Sequence, residues 1–175
     1  GLASSLSVVV LGDESGYLST EHQKMKLAAI EAMWHTEPAP AAFTIVGLPD
    51  QAERKTHYSV QVPWVMGLIG TRSLTTEIPG IHELVKLAET RIRQGIMAFD
   101  ALQSIREAGS SAAIPADVAD RFEDTGHYLG YALLLRPYLD DPREATDEQI
   151  TQAAWDTVPN VPTLFWSFRI MVGLG

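Results

Sequence analysis

Residues 81–108, IHELVKLAETRIRQGIMAFDALQSIREA, carry the strongest structural pattern in this sequence. Apolar side chains recur along the stretch at spacings of three and four residues, from Ile81 and Val85 to Ile105. Such spacing collects them on one face of a helix. Gly109 follows directly, and glycine commonly ends a helix. The pattern predicts one long amphipathic helix over 81–108.

A second helix is predicted on the N-terminal side of this stretch. Thr20-x-x-Gln23 fits a capping box, in which the threonine hydroxyl accepts a hydrogen bond from a backbone N–H of the first turn. The residues that follow are good helix formers. Pro38 and Pro40 then end the pattern, because proline disfavours a helical conformation in the residue before it. The sequence predicts this helix over 21–36.

Two more helices are predicted on the C-terminal side. Pro115 can open a helix at its first position, and the following residues support a helix to about Arg136. Thr146-x-x-Gln149 is another capping box, and it starts a helix that Pro159 closes. The predicted fold class is mainly α, with amphipathic helices joined by long loops.

The region between residues 37 and 80 is predicted to consist of long loops with small elements. Residues 58–62, YSVQV, alternate like a short strand. Residues 64–69, WVMGLI, are compatible with a short buried helix. Loops of this kind carry function more often than packing does.

Both ends of the chain are apolar. The runs at 2–11 and 161–175 contain a single charged residue, Arg169. A membrane-spanning helix needs about 20 apolar residues, and neither run is that long. Two interpretations are open: a loop between two membrane helices that are cut short, or a soluble domain with two buried terminal elements.

The composition narrows the possible functions. The 175 residues carry a formal net charge of −9. Binding to nucleic acid is not expected, because it requires clustered positive charge. Cysteine is absent, which excludes disulfides, thiolate metal sites and a cysteine nucleophile.

Histidines offer little sign of a metal site. Three of the five lie four residues after a glutamate, a spacing that puts both side chains on one helix face. A metal site needs three or four ligands, and no third ligand accompanies any pair in the sequence. Solvated surface pairs are the simpler interpretation. The pairs are Glu31 with His35, Glu53 with His57, and Glu123 with His127.

Lys26 and Glu31 flank the apolar residues LAAI in the first predicted helix. If this face is covered, burial raises the pKa of the glutamate towards the range of a general base, and Lys26 can donate a hydrogen bond or supply a compensating charge. If the face is exposed, both are ordinary surface charges. The residues alone leave both interpretations open.

Arg169 and Met171 lie within the C-terminal apolar run. An arginine at membrane depth is costly and usually has a partner. A methionine thioether can be an axial haem ligand, although methionine in an apolar helix far more often serves packing.

Four strings in register resemble one known family. They are GDESGY at 12–17, KLAAIEAMW at 26–34, PAPAAFTIVGLPDQ at 38–51 and FRIMVGLG at 168–175. In order and spacing they closely resemble subunit I of cytochrome bd quinol oxidases, in the form with a long quinol-binding loop. The resemblance extends over essentially the whole chain.

The resemblance implies an arrangement and a function. Residues 1–11 and 161–175 would be the ends of two transmembrane helices, and 12–160 the quinol-binding loop domain between them. This loop would lie on the periplasmic side of the bacterial cytoplasmic membrane. The whole oxidase, an oxidoreductase of the aerobic respiratory chain, takes electrons from membrane quinol and reduces dioxygen to water. The choice between ubiquinol and menaquinol stays open.

The resemblance also implies roles for particular residues. Lys26 and Glu31 match the lysine and glutamate of the family's quinol site. Met171 matches an axial ligand of the low-spin b haem. Arg169 matches an arginine that favours the reduced haem. A second b haem, haem d, the rest of subunit I and subunit II would lie outside this chain, so the segment alone is expected to be inactive.

Three further residues are candidates for the quinol pocket. Asp13 and Gln23 are suggested by their nearness in sequence to Lys26, and Phe43 by its aromatic ring. Their alternative roles are a turn residue, a cap partner and a core residue.

The alternative function is a helical interaction module. In this interpretation the acidic helices over 81–136 bind another subunit during assembly or cover the surface of the oxidase, and Lys26 and Glu31 have only structural roles.

Overall fold

The elements of the fold come from a computed structural model that describes residues 23–66, 75–109 and 114–174. The fold class is mainly α, as predicted, with one two-stranded hairpin among the described residues. In chain order the elements are α1 (Lys24–Ile30), β1 (Phe43–Asp50), β2 (Lys55–Val62), α2 (Ile81–Ala108), α3 (Ala116–Thr125), a 3-10 segment (Gly126–Leu135), a 3-10 turn (Pro142–Glu144), α4 (Asp147–Trp155) and α5 (Val161–Leu174).

Helix α2 confirms the prediction made from its apolar repeat. It runs over Ile81–Ala108, and the side chains of Ile81, Val85 and Ile92 are buried. Gly109 then has a φ of +68°, a left-handed conformation that glycine adopts without steric cost. The repeat therefore fixes the buried face of α2, and the glycine fixes its end.

Helix α1 is shorter than predicted. It begins at Lys24, with Gln23 as its N-cap, and ends at Ile30 instead of residue 36. The cause is the backbone of Ala32, whose φ of +50° is incompatible with a continuing right-handed helix. Thr20 lies outside the described residues, and the side chain of Gln23 makes no capping hydrogen bond.

The helices after residue 114 are partly as predicted. Pro115 is the N-cap of α3 and not its first residue, and α3 ends at Thr125. The chain continues to Leu135 as a 3-10 segment that contains Gly126 and Gly130. Glycine disfavours an α-helix by about 1 kcal/mol per residue, and two of the ten residues of this segment are glycines.

The capping box at the start of α4 is confirmed. The Thr146 hydroxyl accepts from the backbone N–H of Gln149 at 3.3 Å, and the Gln149 side chain accepts from the backbone N–H of Thr146 at 2.9 Å. The helix ends at Trp155, four residues before Pro159.

An antiparallel hairpin occupies part of the region predicted as loops. The strand predicted at 58–62 is the second half of β2, and β1 was not predicted. The register shifts between Val46 and Leu48, where Tyr58 takes a φ of +49°. Gly47 and Pro49 make β1 hard to recognise in the sequence, because both residue types are uncommon in strands. A two-stranded hairpin tolerates proline because both of its strands are edge strands.

The prediction of a short buried helix at 64–69 is wrong for its first residue. Trp64 lies in a turn with a φ of +68°, and its side chain is 65% exposed. Met66 is buried, as expected of that segment. Residues 67–69 lie outside the described residues.

The described chain packs as two units. The first contains 23–66, 75–84 and 158–174, and its core includes Met33, Ala41, Met66 and Ile78. The second contains 85–109 and 114–157, and its core includes Ile92, Ala101, Leu135 and Ile150.

Helix α5 covers nearly all of the C-terminal apolar run. Among the described residues, no helix has both the length and the apolar character needed to cross a membrane. The N-terminal run at 2–11 lies outside the described residues.

Candidate functional site

Glu31 lies at the C-terminal end of α1 and is one of the few buried charged residues in the described chain. Its backbone caps the helix with an N–H bonded to the Leu27 carbonyl at 3.0 Å, and the residue is 4% exposed. The chain then turns sharply at Ala32. The interpretation in which the Glu31 face is covered is therefore confirmed.

Arg169 of α5 forms a buried ion pair with Glu31. Its Nη2 atom is 3.0 Å from Oε2 of Glu31, and the two side chains are 9% and 4% exposed. The guanidinium also donates to the Ile30 carbonyl at 2.7 Å and to the Thr44 carbonyl, from Nε, at 2.9 Å. Backbone from α1 and β1 thus holds the arginine against the carboxylate.

Two aromatic rings border the guanidinium. The Cζ atom of Arg169 is 3.4 Å from the ring centroid of Phe165 and 5.3 Å from that of Phe43. An arginine at these distances is attracted to the ring face. The structure therefore brings Phe43, predicted as a pocket wall, to the Glu31–Arg169 pair.

Burial dominates the titration of Glu31. Desolvation raises its pKa above the ordinary value of 4.5, and the nearby Glu37 carboxylate adds to the rise. The positive charge and hydrogen bond of Arg169, with a hydrogen bond to the Thr44 backbone, act in the opposite direction without cancelling the rise. The carboxylate is thus a stronger base than an exposed glutamate.

Lys26 is not part of this pair. Its side chain is exposed on α1, and no hydrogen bond or ion pair joins it to Glu31 in the described structure. Five residues along a helix correspond to a rotation of about 140°, so the two side chains point apart. Gln23 is also exposed, at the start of α1. Asp13 lies outside the described residues.

Met171 is on the exposed part of α5. Its side chain is 63% exposed, and its neighbours Ile170 and Val172 are 56% and 59% exposed. A thioether presented among apolar side chains fits one axial ligand of a haem, which is a large apolar group. Arg169, two residues earlier, turns inward to Glu31 instead.

The sequence did not indicate the partners of Arg169. Phe165 precedes it by four residues, and this spacing on one helix face is a signal that could have suggested their contact. Thr44 contributes a backbone carbonyl, which leaves no trace in the sequence. Glu31 is 138 residues from Arg169, so local spacing could not connect them.

The glutamate–histidine pairs behave differently from one another. His35 lies beyond the end of α1 and stacks on His82, with 4.6 Å between ring centroids. His127 lies beyond the end of α3. Neither pair shares a helix face as the spacing suggested.

The Glu53–His57 pair is at the exposed tip of the hairpin. The Nε2 atom of His57 is 3.2 Å from Glu53 Oε2. Asp50 brings a third potential ligand atom, and all three lie within 4.8 Å of one another, so the prediction that no pair has a third ligand was wrong here. The Lys55 ammonium is 2.5 Å from Glu53, which is the arrangement of a surface ion-pair group.

The comparisons with known proteins agree with one another. A family model described as cytochrome bd terminal oxidase subunit I matches residues 1–175. Subunit 1 of the cytochrome bd-II ubiquinol oxidase of Escherichia coli (strain K12) is 35% identical over 175 residues, all of this chain and 33% of that relative. The cytochrome bd ubiquinol oxidase subunit 1 of Bacillus subtilis (strain 168) is 23% identical over 179 aligned residues and 25% of its length.

A third relative matches part of the chain. The putative cytochrome bd menaquinol oxidase subunit I of Bacillus subtilis (strain 168) is 28% identical over 78 residues, which are 45% of this chain and 17% of that relative. The chain thus spans about a third or less of the length of these curated relatives.

Proposed function

This chain belongs to the family of cytochrome bd terminal oxidase subunit I, and from that membership we propose that it forms the quinol-binding and quinol-oxidising part of such an oxidase. In this proposal residues 12–160 are the quinol-binding loop domain on the periplasmic side of the bacterial cytoplasmic membrane. Residues 1–11 and 161–175 are the ends of the two flanking membrane helices. The remainder of subunit I, subunit II and membrane quinol are the partners.

The observation that carries the proposal is the buried Glu31–Arg169 pair. It joins the C-terminal end of α1, the helix that carries Lys26, to α5, which contains the candidate haem ligand Met171. Contacts between α1 and α5 and between α5 and β1 surround the pair within the first packing unit. In this proposal, neighbouring elements therefore supply the proton acceptor and the haem ligand.

Glu31 is proposed to accept a proton from quinol. Oxidation of a quinol releases two protons and two electrons; Glu31 would accept one proton, and the other would pass to water. A carboxylate whose pKa is raised by burial is better matched to this task than an exposed one. Arg169 keeps Glu31 ionised enough to act as a base, because its charge stabilises the carboxylate. Because Glu31 is buried, quinol must displace some of the protein atoms that cover the carboxylate in order to reach it.

Lys26 is proposed to bind the second oxygen of the quinol. Its exposed ammonium can donate a hydrogen bond and stabilise negative charge on a deprotonated hydroxyl. The two oxygens of a hydroquinone lie on opposite sides of the ring, so two groups that do not touch can bind one substrate. Gln23, Asp13 and Phe43 are proposed as further pocket residues.

Met171 is proposed to supply one axial ligand to a low-spin b haem. Such a haem would supply one-electron transfer from quinol, towards a second b haem and haem d in the rest of the oxidase, with the reduction of dioxygen to water as the overall reaction. The family's role for this arginine, favouring the reduced haem, stays a prediction for Arg169, whose charge faces Glu31 in this structure. One thioether is a weak anchor, and we therefore expect the chain alone to be inactive.

The test is the quinol turnover of the intact oxidase with Glu31→Gln, with haem spectra recorded on the same sample. We expect turnover to fall by about two orders of magnitude, the usual size of a lost general base, while the spectra stay normal. Glu77→Gln, at an exposed position, is the matched control and should retain wild-type turnover. Wild-type turnover in Glu31→Gln would contradict the proposal.

A second candidate function is the interaction module. The second packing unit, 85–157, has its own core, and its helix α3 exposes several carboxylates. Such a surface suits a partner of opposite charge during assembly of the oxidase. The exposed acidic residues of α3 are Asp117, Asp120, Glu123 and Asp124.

A further inference from the structure

The turn that follows Glu31 has a strained backbone. Ala32 takes a φ of +50° although it is 6% exposed and is not a glycine. A left-handed residue with a Cβ atom costs of order 1 kcal/mol or more and persists only where its surroundings hold it. The direction of the Glu31 side chain therefore depends on whatever holds Ala32.

Two backbone hydrogen bonds close the turn, from the N–H of Ala32 to the Ala29 carbonyl at 3.2 Å and from the N–H of Met33 to the Ala28 carbonyl at 2.8 Å, and a hydroxyl from the hairpin adds to that hold. Thr56 of β2 donates from Oγ1 to the carbonyl of Ala32 at 3.2 Å. The same oxygen accepts from the indole Nε1 of Trp34 at 3.1 Å. The Thr56 hydroxyl is therefore hydrogen-bonded to the residue before Met33 and to the residue after it. Both residues belong to the segment that directly follows Glu31.

The Thr56 side chain is itself fixed by packing. A Cβ atom placed on Gly47, on the neighbouring strand, would come within 2.8 Å of the Thr56 methyl group. The absence of a side chain at Gly47 lets the methyl group occupy this space. The methyl group packs in this space, while the two hydrogen bonds of the hydroxyl direct it to the turn.

We propose that Thr56 is a positioning residue for Glu31. The Thr56 hydroxyl stabilises the Ala32 turn and so keeps the Glu31 carboxylate against Arg169. The inference rests on the proposed role of Glu31 in quinol oxidation. It assigns the hairpin a role in the chemistry without any contact between Thr56 and the quinol.

The pH profile separates positioning from a merely structural role. The charged groups that act on Glu31 are Arg169 from α5 and Glu37 beyond the turn. A carboxylate that is held less firmly against Arg169 loses a contact that lowers its pKa. The acid limb of the profile of kcat/KM should then move to higher pH, which a loss of folded enzyme alone would not produce.

The experiment uses the intact oxidase and a short-chain ubiquinol. Thr56→Val keeps the shape of the side chain and removes the hydroxyl, and we expect kcat/KM to fall about 5-fold or more, the scale of one or two lost hydrogen bonds. The acid limb should shift to higher pH, while haem spectra stay normal. Thr56→Ser keeps the hydroxyl and its hydrogen bonds, so its kcat/KM should stay within about 2-fold of the wild-type value.

Two further variants complete the design. Thr90→Val is the matched control, because the Thr90 hydroxyl is exposed and bonds only to the Lys86 carbonyl of its own helix among the described residues. Trp34→Phe removes the donor that orients the Thr56 hydroxyl. It should shift the profile in the same direction by a smaller amount, and it serves as the test if Thr56→Val does not assemble.

Each outcome decides the inference. Equal losses in Thr56→Val and Thr56→Ser would show that packing matters and not the hydroxyl, and would overturn it. A wild-type profile in Thr56→Val, or in Trp34→Phe if the valine variant fails to assemble, would also overturn it. Glu31→Gln, measured in parallel, separates the two proposals: its wild-type turnover would overturn both, whereas its loss with an unaffected Thr56→Val would overturn the positioning role alone.

Discussion

At the scale of single residues, the Glu31–Arg169 pair is the feature with the largest energetic consequences. Two charges removed from water are each penalised by several kcal/mol, and their attraction offsets this only with good geometry and further hydrogen bonds. Arg169 meets this condition through bonds to Glu31 and to backbone carbonyls. Removing Arg169 alone should therefore do more harm than removing both charges, whereas glutamine at position 31 keeps an amide oxygen that can still accept a hydrogen bond from Arg169.

Arg169→Met should destabilise the chain strongly near neutral pH. It leaves the Glu31 carboxylate buried without its counter-charge, and breaking a buried pair in this way costs about 3–5 kcal/mol. The loss should shrink as the pH falls, because Glu31 then takes up a proton and needs no partner. Urea unfolding of the chain, followed by circular dichroism at pH 7 and pH 5, measures both effects.

The double variant Glu31→Gln with Arg169→Met is the control for that measurement. It carries no buried charge and should be more stable than Arg169→Met alone. Equal free energies of unfolding for the single and double variants would show that the charge of Glu31 does not need Arg169.

The sequence allowed part of this site to be predicted. The residues and the family resemblance together indicate five of the candidates: Lys26, Glu31, Phe43, Arg169 and Met171. The geometry that unites Glu31, Phe43 and Arg169, and leaves Lys26 exposed, could not be predicted. It depends on contacts between residues more than 120 positions apart, which no local pattern encodes.

At the scale of elements, periodicity succeeded where an element is long and regular. The apolar repeat of α2 and the capping box of α4 gave the right helices because each is a local property. Helix α1 failed at its C-terminal end, since alanine at position 32 gives no sign of a positive φ. The hairpin was half predicted, because Gly47 and Pro49 interrupt the alternation of β1.

The capping box of α4 makes a quantitative prediction. Thr146→Ala removes the hydroxyl that accepts from Gln149 and should lower the free energy of unfolding by about 1 kcal/mol. Thr151→Ala, at an exposed position within α4, is the control and should not destabilise, since alanine favours helix more than threonine does. Chemical denaturation of both variants checks this. Equal effects at the two positions would contradict a capping role for Thr146.

At the scale of the whole molecule, the chain combines two packing units with different candidate roles. The first contains Glu31, Arg169 and Met171, and the second exposes the carboxylates of α3. The division of the chain into 1–11, 12–160 and 161–175 stays a prediction from the family resemblance. Four short strings of sequence predict the family. Each string alone is weak, but their shared order and spacing are specific to it.

The interaction candidate is tested by reversing charge on the second unit. If α3 binds a partner, Asp120→Lys and Glu123→Lys should lower the yield of assembled, haem-containing oxidase, while Glu31→Gln should not. Glu77→Lys, exposed in the first unit, is the control. Blue native electrophoresis with haem staining measures the yield, and normal assembly of both α3 variants would rule out this role.

If Glu31 is the base for a quinol proton, its titration must appear in the pH dependence of kcat/KM for quinol, measured on the intact oxidase. Burial raises the pKa of Glu31 above 4.5, so activity should fall as the pH drops through this raised pKa and the carboxylate becomes protonated. In the intact oxidase with Glu31→Gln, kcat/KM should be low throughout the pH range and should not fall further on the acid side. The haem spectra should stay normal. An unchanged acid limb and wild-type rate in Glu31→Gln would contradict the claim.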